Sequence, residues 1–254
     1  MRTLAVIVLF GSVASGCIRL SRTVAQLPEG EWTTRLGDAA HAPFIREHVP
    51  QSVTVDWEAD LGRGLPVAPI VQHDLIVSAV SGGGVVAVDA RNGERYWSRR
   101  FNGAVAGQVI RVGPRIHFAT QHRNGTLYTL DLDRGRRAWS RRLGSRAAAE
   151  PVYADGRIYL GTHTELQAID AANGSIIWRR RLTGPPVQPP IIVGDDLLIA
   201  VRDTLFRIGR DDGMVRGRAG IAGEPSAPLA LRGDTLVIAM HPGIVAAYVD
   251  AGAR

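Results

Sequence analysis

Three histidines are the residues whose types and positions best suit a binding site. Each follows an apolar run, and the three are expected at equivalent hairpin positions between strands (His122, His163 and His241). Converging imidazoles could bind a divalent metal ion or an anion. Exposed turns accept polar residues of any type, however, and turns of separate repeats lie far apart. We therefore favour the structural interpretation of these histidines and predict no metal site.

Other signatures of catalysis are missing from the sequence. No His-Glu-x-x-His pattern offers a hydrolytic zinc site, and no Gly-x-Ser-x-Gly segment offers a nucleophilic serine. The acidic pairs Asp195-Asp196 and Asp211-Asp212 fall in segments of turn composition, where carboxylates are usually solvated. The sequence therefore predicts a protein that is not an enzyme and has no cofactor.

Arginines cluster at Arg99-Arg100, Arg141-Arg142 and Arg179–Arg181. A basic rim could contact anionic lipid headgroups or acidic proteins. Charged side chains on an outermost strand also keep that edge from pairing with other chains, and we favour this interpretation. The formal net charge is +6, but no aromatic residues alternate with the basic ones, so we expect no nucleic-acid binding.

A repeat of about forty residues organises the chain. Segments 87–97, 129–139, 168–178 and 207–217 share an apolar run, a polar turn and a glycine, and segment 246–252 begins in the same way. The glycines are spaced by 42, 39, 39 and 39 residues (Gly93, Gly135, Gly174, Gly213 and Gly252). Such a period is typical of modules that bury their apolar surfaces against one another.

Each repeat contains four short segments with strand character. In the first repeat these are 69–71, 75–79, 85–89 and the segment that carries Trp97. Before each repeat glycine, an aspartate can accept backbone hydrogen bonds within the turn (Asp89, Asp131 and Asp170). Four strands in forty residues match the size of a propeller blade. The predicted fold is all-β, a β-propeller of about five four-stranded blades.

The pattern Ala-x-Asp-x-x-x-Gly-x-x-x-Trp stands intact at 87–97 and 168–178, and with threonine for alanine at 129–139. It resembles the repeat of the PQQ-like β-propeller family, which includes quinoprotein dehydrogenases and BamB-like envelope lipoproteins. The resemblance covers residues 53–252 and implies that the repeat residues are structural. It also implies that tryptophans dock each blade on the next (Trp57, Trp97, Trp139 and Trp178). Gly209 and Gly217 replace the aspartate and tryptophan of the fourth unit, so looser docking is expected there.

Two departures from the family qualify its implications. Its dehydrogenases use PQQ, a Ca²⁺ site and adjacent cysteines, whereas Cys17 is the only cysteine here and no acidic cluster resembles a Ca²⁺ loop. We therefore expect no PQQ binding.

Members of the family often have eight blades rather than five. Residues 54–61 resemble an outermost strand, which the unit at 224–252 lacks. Pairing these two ends would complete a fifth blade and close the ring. A fragment, or an arc that needs a partner, is the alternative to a closed ring.

The N-terminal residues predict export. Residues 1–16 combine Arg2, a short apolar run and small residues, as in a secretory signal peptide. Cys17 follows Ala14-Ser15-Gly16, which resembles a lipobox, so we expect this cysteine to be acylated. Residues 17–52 would then form a membrane tether and lead-in, and residues 53–254 the propeller. Ile18 favours the outer membrane, with the chain facing the periplasm of a bacterial cell envelope.

These observations predict a non-catalytic scaffold that is anchored to the membrane by lipid and binds a protein partner in the envelope. A BamB-like role in outer-membrane protein assembly fits this description. Two alternatives remain open at this point. One is a degenerate relative of the quinoprotein dehydrogenases. The other is a sensor propeller that binds a small ligand or a metal ion.

Overall fold

The computed structural model describes residues 54–72, 74–232 and 234–249 of the 254-residue chain. Regular structure in these ranges is entirely β-strand, which confirms the all-β prediction. The proposed signal peptide (1–16), Cys17, the rest of the tether (18–52) and Gly252 lie outside the described residues. Within the described ranges, no helix is both long and apolar enough to cross a membrane.

Nineteen described strands form five antiparallel sheets, in sequential order within each sheet. Blade 1 contains β1–β4, blade 2 β5–β8, blade 3 β9–β12, blade 4 β13–β16 and blade 5 β17–β19. This arrangement confirms the predicted propeller of five blades, the fifth with three described strands. The strands are β1 (Ile70–Gln72), β2 (Leu75–Val80), β3 (Gly84–Asp89), β4 (Arg95–Arg100), β5 (Val105–Val112), β6 (Arg115–Thr120), β7 (Thr126–Asp131), β8 (Arg137–Arg142), β9 (Val152–Ala154), β10 (Arg157–Gly161), β11 (Leu166–Asp170), β12 (Ile176–Arg180), β13 (Ile191–Val193), β14 (Asp196–Val201), β15 (Thr204–Gly209), β16 (Val215–Gly220), β17 (Ala230–Arg232), β18 (Thr235–Met240) and β19 (Ile244–Val249).

The position of a strand within its blade explains its composition. The middle strands β3 and β14 are buried on both faces along their whole length. Strand β14 is packed between two neighbouring sheets, and β3 between blade 2 and the segment that carries Trp57 and Leu61. They accordingly read as nearly continuous apolar runs. The fourth strand is peripheral, and β4 exposes every side chain except that of Trp97. This explains the arginines on the fourth strands.

An apolar cluster lies between each pair of consecutive blades. We call the side of a sheet that faces the next blade its trailing side, and the side that faces the previous blade its leading side. Between blades 1 and 2, Val77 and Ala87 on the trailing side meet Phe118 and Leu130 on the leading side. The apolar burial that stabilises each sheet is therefore supplied by its neighbours.

The expected pairing of residues 54–61 with the C-terminal unit is not seen in the described ranges. Residues 54–61 form no strand there, and blade 5 has three strands with β19 at its edge. Instead, Trp57 and Leu61 pack on the leading side of blade 1, against Val80, Val86 and Val88. The described residues therefore correct the expectation that these two ends pair to close the ring. The side-chain contacts of Trp57 and Leu61 hold the segment on blade 1 without a backbone ladder to β19 in these ranges.

Blade 2 explains why threonine replaces alanine in its repeat. His117 on β6 lies opposite Thr129 on β7, and both side chains are buried. His117 Nδ1 lies 2.7 Å from Thr129 Oγ1, a hydrogen-bond distance. The equivalent pairs are Val77 with Ala87 in blade 1 and Tyr159 with Ala168 in blade 3. The threonine hydroxyl thus supplies the hydrogen bond that a buried imidazole requires.

The free energy of unfolding should fall as the pH drops from about 6.5 towards 4. Burial, with a smaller effect of Arg115, lowers the pKa of His117 to about 4. In that interval the unfolded chain binds a proton at this imidazole and the folded chain does not, so stability is lost by up to about 3 kcal/mol. Above pH 6.5 both states are neutral at this residue and the loss disappears.

Urea titrations of wild type and His117→Gln at about pH 7.5 and about pH 5 test this. The glutamine variant has no imidazole to protonate and should lose much less stability between the two pH values. Equal losses in both proteins would assign the pH dependence to other groups.

Blade 4 has a charged cluster where blades 1 to 3 have the aspartate and tryptophan of the repeat. The buried Asp196 accepts hydrogen bonds from Arg207 Nε at 2.5 Å and from an Arg216 guanidinium nitrogen at 3.0 Å. A Cβ at Gly209 would lie 2.7 Å from Arg216 Nε, so the glycine leaves room for that side chain. Gly217 pairs with Arg207 where Trp97 pairs with Ala87 in blade 1. A charged cluster thus occupies this position in place of a docking tryptophan.

Candidate functional site

Four tryptophans make the same docking contact: three join successive blades, and Trp57 joins the segment before blade 1 to that blade. Each indole N–H donates to a backbone carbonyl in the next turn between third and fourth strands, as Trp97 does to Leu132 O at 2.8 Å. The ring lies on the glycine of that turn, and a Cβ at Gly135 would be 2.6 Å from the Trp97 ring. The equivalent donor and acceptor pairs are Trp57 to Ala90 at 3.0 Å, Trp139 to Ala171 at 3.2 Å and Trp178 to Arg210 at 2.9 Å.

An arginine two residues after three of these tryptophans strengthens the joint. Arg99, Arg141 and Arg180 each donate from Nε to the carbonyl of the same docking glycine, at 3.1, 2.5 and 2.5 Å. One member of each arginine cluster therefore binds its own chain. The clusters alone did not predict this role. The recurring Trp-x-Arg spacing is the signal in the sequence that could have predicted it.

The turn aspartates lie at this same end of the blades. Asp89 and Asp170 accept hydrogen bonds from the backbone N–H two residues later, at 2.8 and 2.7 Å. Hydrogen bonds from Arg91 lower the pKa of Asp89 to about 2. Glycines, tryptophans and aspartates of the repeat thus share one end of the sheets, the docking end, where they hold blades and turns in place.

The opposite end, here called the hairpin end, carries the hairpins between second and third strands and the connections between blades. In blades 1, 2, 3 and 5, the segment that leads into the blade is fixed to the hairpin of that blade by a backbone hydrogen bond. Equivalent bonds run from Ser81 N to Gly64 O, from Gln121 N to Ala104 O, from His163 N to Arg146 O and from His241 N to Glu224 O, at 2.8 to 3.0 Å. The hairpin end is therefore a preformed surface.

These bonds also place the three histidines. His163 and His241 occupy the same hairpin position, whereas His122 stands one residue beyond the equivalent Gln121. His122 Nδ1 accepts a hydrogen bond from Asn124 N at 3.1 Å, within its own turn. Among the described residues, no three His, Cys, Asp or Glu side chains are grouped so that they could hold a metal ion. The structure does not bring the three imidazoles together.

The hairpin end is basic. Its exposed acidic side chains in the described ranges are Asp203, Glu224 and Asp60, which stands three residues after Trp57 as Arg100 does after Trp97. Glu165 at this end pairs with Arg179 at 3.4 Å. Its exposed arginines come from the hairpins, the connections and the last residues of the fourth strands (Arg63, Arg100, Arg123, Arg142, Arg146, Arg181 and Arg202). Only the fourth-strand members belonged to clusters in the sequence, because the others are brought together by the stacking of blades.

The described residues do not fit PQQ. Trp57, Trp97, Trp139 and Trp178 each lie on a docking glycine and donate to a turn carbonyl, so their described contacts are those of the joints and not those of a platform for a planar cofactor. The acidic side chains of these ranges form no group suited to the cation that accompanies PQQ in the family's dehydrogenases.

Comparisons with known proteins agree with this architecture. Residues 10–141 and 48–248 match the family described as outer membrane protein assembly factor BamB. The structure resembles BamB from Moraxella catarrhalis, with a TM-score of 0.66, 20% identity, and coverage of 77% of this chain and 61% of that one. It resembles quinohemoprotein alcohol dehydrogenase from Comamonas testosteroni, with a TM-score of 0.71, 14% identity, and coverage of 86% and 47%.

A second enzyme of this kind, quinohemoprotein alcohol dehydrogenase ADHIIG from Pseudomonas putida HK5, gives a TM-score of 0.70 at 17% identity, with coverage of 87% of this chain and 46% of that one. This chain thus spans about half to three fifths of the length of these structures. No protein with a curated description matches the sequence. The structural likenesses establish the fold, and the family match extends over most of the repeat array. The chain therefore belongs to the PQQ-like repeat family described as outer membrane protein assembly factor BamB.

Proposed function

We propose that this chain is a non-catalytic scaffold of the cell envelope that binds a protein partner through its hairpin end, in a BamB-like role in outer-membrane protein assembly. The observation that carries the proposal is the basic, preformed hairpin end, where arginines from several blades share one surface. Opposite charge on a partner would speed association and fix its orientation. Removal of residues 1–16 and acylation of Cys17 are part of this proposal.

Reversing the charge of two hairpin-end arginines tests the proposal. The full chain is used to capture partners from detergent-solubilised envelopes, and affinity is then measured with the purified partner. Arg123→Glu/Arg146→Glu should weaken binding by at least about tenfold and reduce its dependence on salt, because interfacial charges steer association.

The matched control is Arg134→Glu/Arg136→Glu, which reverses two exposed charges at the docking end. It should bind like wild type. Equal affinities for both double variants would exclude the hairpin end as the interface. Recovery of outer-membrane β-barrel levels in a deletion strain, by the control and not by the hairpin-end variant, would link the binding to assembly.

The resemblance to quinohemoprotein dehydrogenases supports a second candidate, a degenerate member of that enzyme class. It requires saturable binding of PQQ with Ca²⁺ to the full chain. Titration calorimetry distinguishes the two candidates. Heat of binding that saturates with PQQ, together with oxidation of an alcohol or sugar, would replace the scaffold proposal, and flat traces would remove the enzyme.

A further inference from the structure

The joint between the segment before blade 1 and that blade differs from the other three joints. At those three, the residue two positions after the tryptophan is an arginine whose Nε donates to the carbonyl of the docking glycine. At the first joint, Trp57 docks on the Gly93 turn in the same way, but Ala59 stands at the arginine position. A Cβ built on Gly93 would lie 3.1 Å from Ala59 Cβ, so Ala59 lies against the turn. The first joint therefore has the docking tryptophan but not its guanidinium.

The Gly93 turn keeps the two acceptors that such a guanidinium uses. Next to Trp97, Arg99 donates from Nε to Gly135 O at 3.1 Å and from Nη2 to Arg134 O at 3.0 Å. The equivalent oxygens of the first joint are those of residues 93 and 92, and neither accepts a hydrogen bond among the described residues. Two neighbouring carbonyls of this kind suit the planar fork of donors that a guanidinium carries.

A groove lies beside these carbonyls. Its volume is about 310 Å³, and its lining includes Ala59, residues 92 and 93 of the turn, and three exposed carboxylates (Glu58, Asp60 and Glu94). Arg95 is the one basic side chain of this lining, so the carboxylates outnumber it. Glu58 and Glu94 make no ion pair among the described residues. The groove is therefore open, negatively charged and provided with carbonyl acceptors.

The charge of this segment is opposite to that of the equivalent strands. The three residues after Trp97, Trp139 and Trp178 are Ser-Arg-Arg, Ser-Arg-Arg and Arg-Arg-Arg, whereas those after Trp57 are Glu-Ala-Asp. Carboxylates thus surround the one docking turn that has no arginine of its own. They favour a cation at the place where the other joints hold one.

We infer that this groove binds an arginine side chain of a partner protein. The guanidinium donates to Gly93 O and Asn92 O, as Arg99 donates to the next turn, and the carboxylates of the lining balance its charge. Arginine is preferred to lysine, because a guanidinium can donate to two carbonyls at once and an ammonium is a point charge. None of the hairpin-end arginines lines the groove. The inference therefore goes beyond the proposed function and does not depend on it.

A titration of the full chain with N-acetyl-arginine methylamide tests the inference. The indole N–H signal of Trp57, assigned by its loss in Trp57→Phe, reports on the groove in NMR spectra. It should shift and saturate at millimolar concentrations of the arginine compound. The lysine analogue, at the same ionic strength, should bind at least about fivefold more weakly. The Trp97 signal is the internal control and should not move, because Arg99 already occupies that joint.

Variants of the groove separate its carboxylates from its carbonyls. Glu58→Gln/Glu94→Gln should weaken binding of the arginine compound by about threefold or more, since charge attracts the guanidinium. Asp203→Asn/Glu224→Gln removes two carboxylates at the hairpin end and should bind like wild type. Ala59→Arg supplies the guanidinium from the chain itself. It should abolish binding and raise the unfolding temperature by about 1 to 3 °C, because one hydrogen-bonded joint is added.

Three results would overturn the inference. They are a Trp57 signal that does not saturate, equal affinities for the arginine and lysine compounds, and an Ala59→Arg protein that still binds. The glutamine pair changes exposed side chains only, so it tests the groove even if Ala59→Arg does not fold. Self-association of wild type that Ala59→Arg abolishes would make the occupant a second copy and would also contradict a partner protein. Loss of partner binding in the hairpin-end variants concerns a different surface and leaves this titration unchanged.

Discussion

Trp97→Ala is expected to lower the free energy of unfolding by about 3 to 5 kcal/mol, the usual cost of truncating a buried tryptophan. The ring is 6% exposed and fills the space between blade 1 and the Gly135 turn, and its N–H satisfies Leu132 O. The truncation leaves a cavity and a carbonyl without its partner. Because blades are stabilised by their neighbours, blade 1 should also unfold partly on its own, and the urea transition should broaden.

Two controls separate the contributions to this loss. Trp97→Phe keeps most of the ring but removes the N–H, so it should cost only part of the full amount. Ser98→Ala changes the next, exposed residue of the same strand and should be nearly neutral. Equilibrium urea unfolding followed by circular dichroism measures all three variants. A Trp97→Ala protein with wild-type stability would show that the tryptophans do not join the blades.

Gly135→Ala is expected to cost about 2 to 5 kcal/mol for two reasons that can be separated. Gly135 has a φ of +59°, which an alanine adopts only with strain. Its new Cβ would lie 2.6 Å from the Trp97 ring, well inside van der Waals contact, so the indole would have to move. The docking hydrogen bond to Leu132 O would be distorted with it.

Gly113→Ala isolates the first of these effects. Gly113 lies in the same blade with a φ of +56°, but a Cβ there meets no atom within 4 Å. This variant should cost only the backbone strain of about 1 to 2 kcal/mol. In a Trp97→Ala background the clash is gone, so Gly135→Ala should cost no more than Gly113→Ala does. Additive losses in the double variant would contradict a contact between the ring and the glycine.

Most strands could be predicted from the sequence because their signals are local. The predicted segment 75–79 became β2 (Leu75–Val80), and 85–89 became β3 (Gly84–Asp89). Apolar runs between turn residues define such strands without knowledge of their neighbours. The repeat glycines set the length of each blade in the same way, since a turn of positive φ must recur once per blade.

The candidate site was predicted less well because its residues come from different blades. Arg123 and Arg146 are separated in sequence and share a surface because the connection after blade 2 runs past the hairpin of that blade, where Leu143 N donates to Gly125 O at 3.2 Å. His122 seemed equivalent to His163 by its place after an apolar run, but the backbone bond of blade 2 is made by Gln121. The position of a residue along a strand can be predicted from the neighbouring sequence. Which residue of a turn makes the conserved backbone hydrogen bond depends on the length of the turn.

The sequence by itself determined the all-β class, the number of blades, the four-strand unit and the residues that recur at the joints, because each depends on periodicity along the chain. Only the tertiary structure decided which side of each sheet is covered. Val85 and Val245 occupy equivalent positions in similar strands, yet one is buried and the other exposed. Burial depends on the sheet that lies opposite, and no pattern within a single strand records whether that sheet is there.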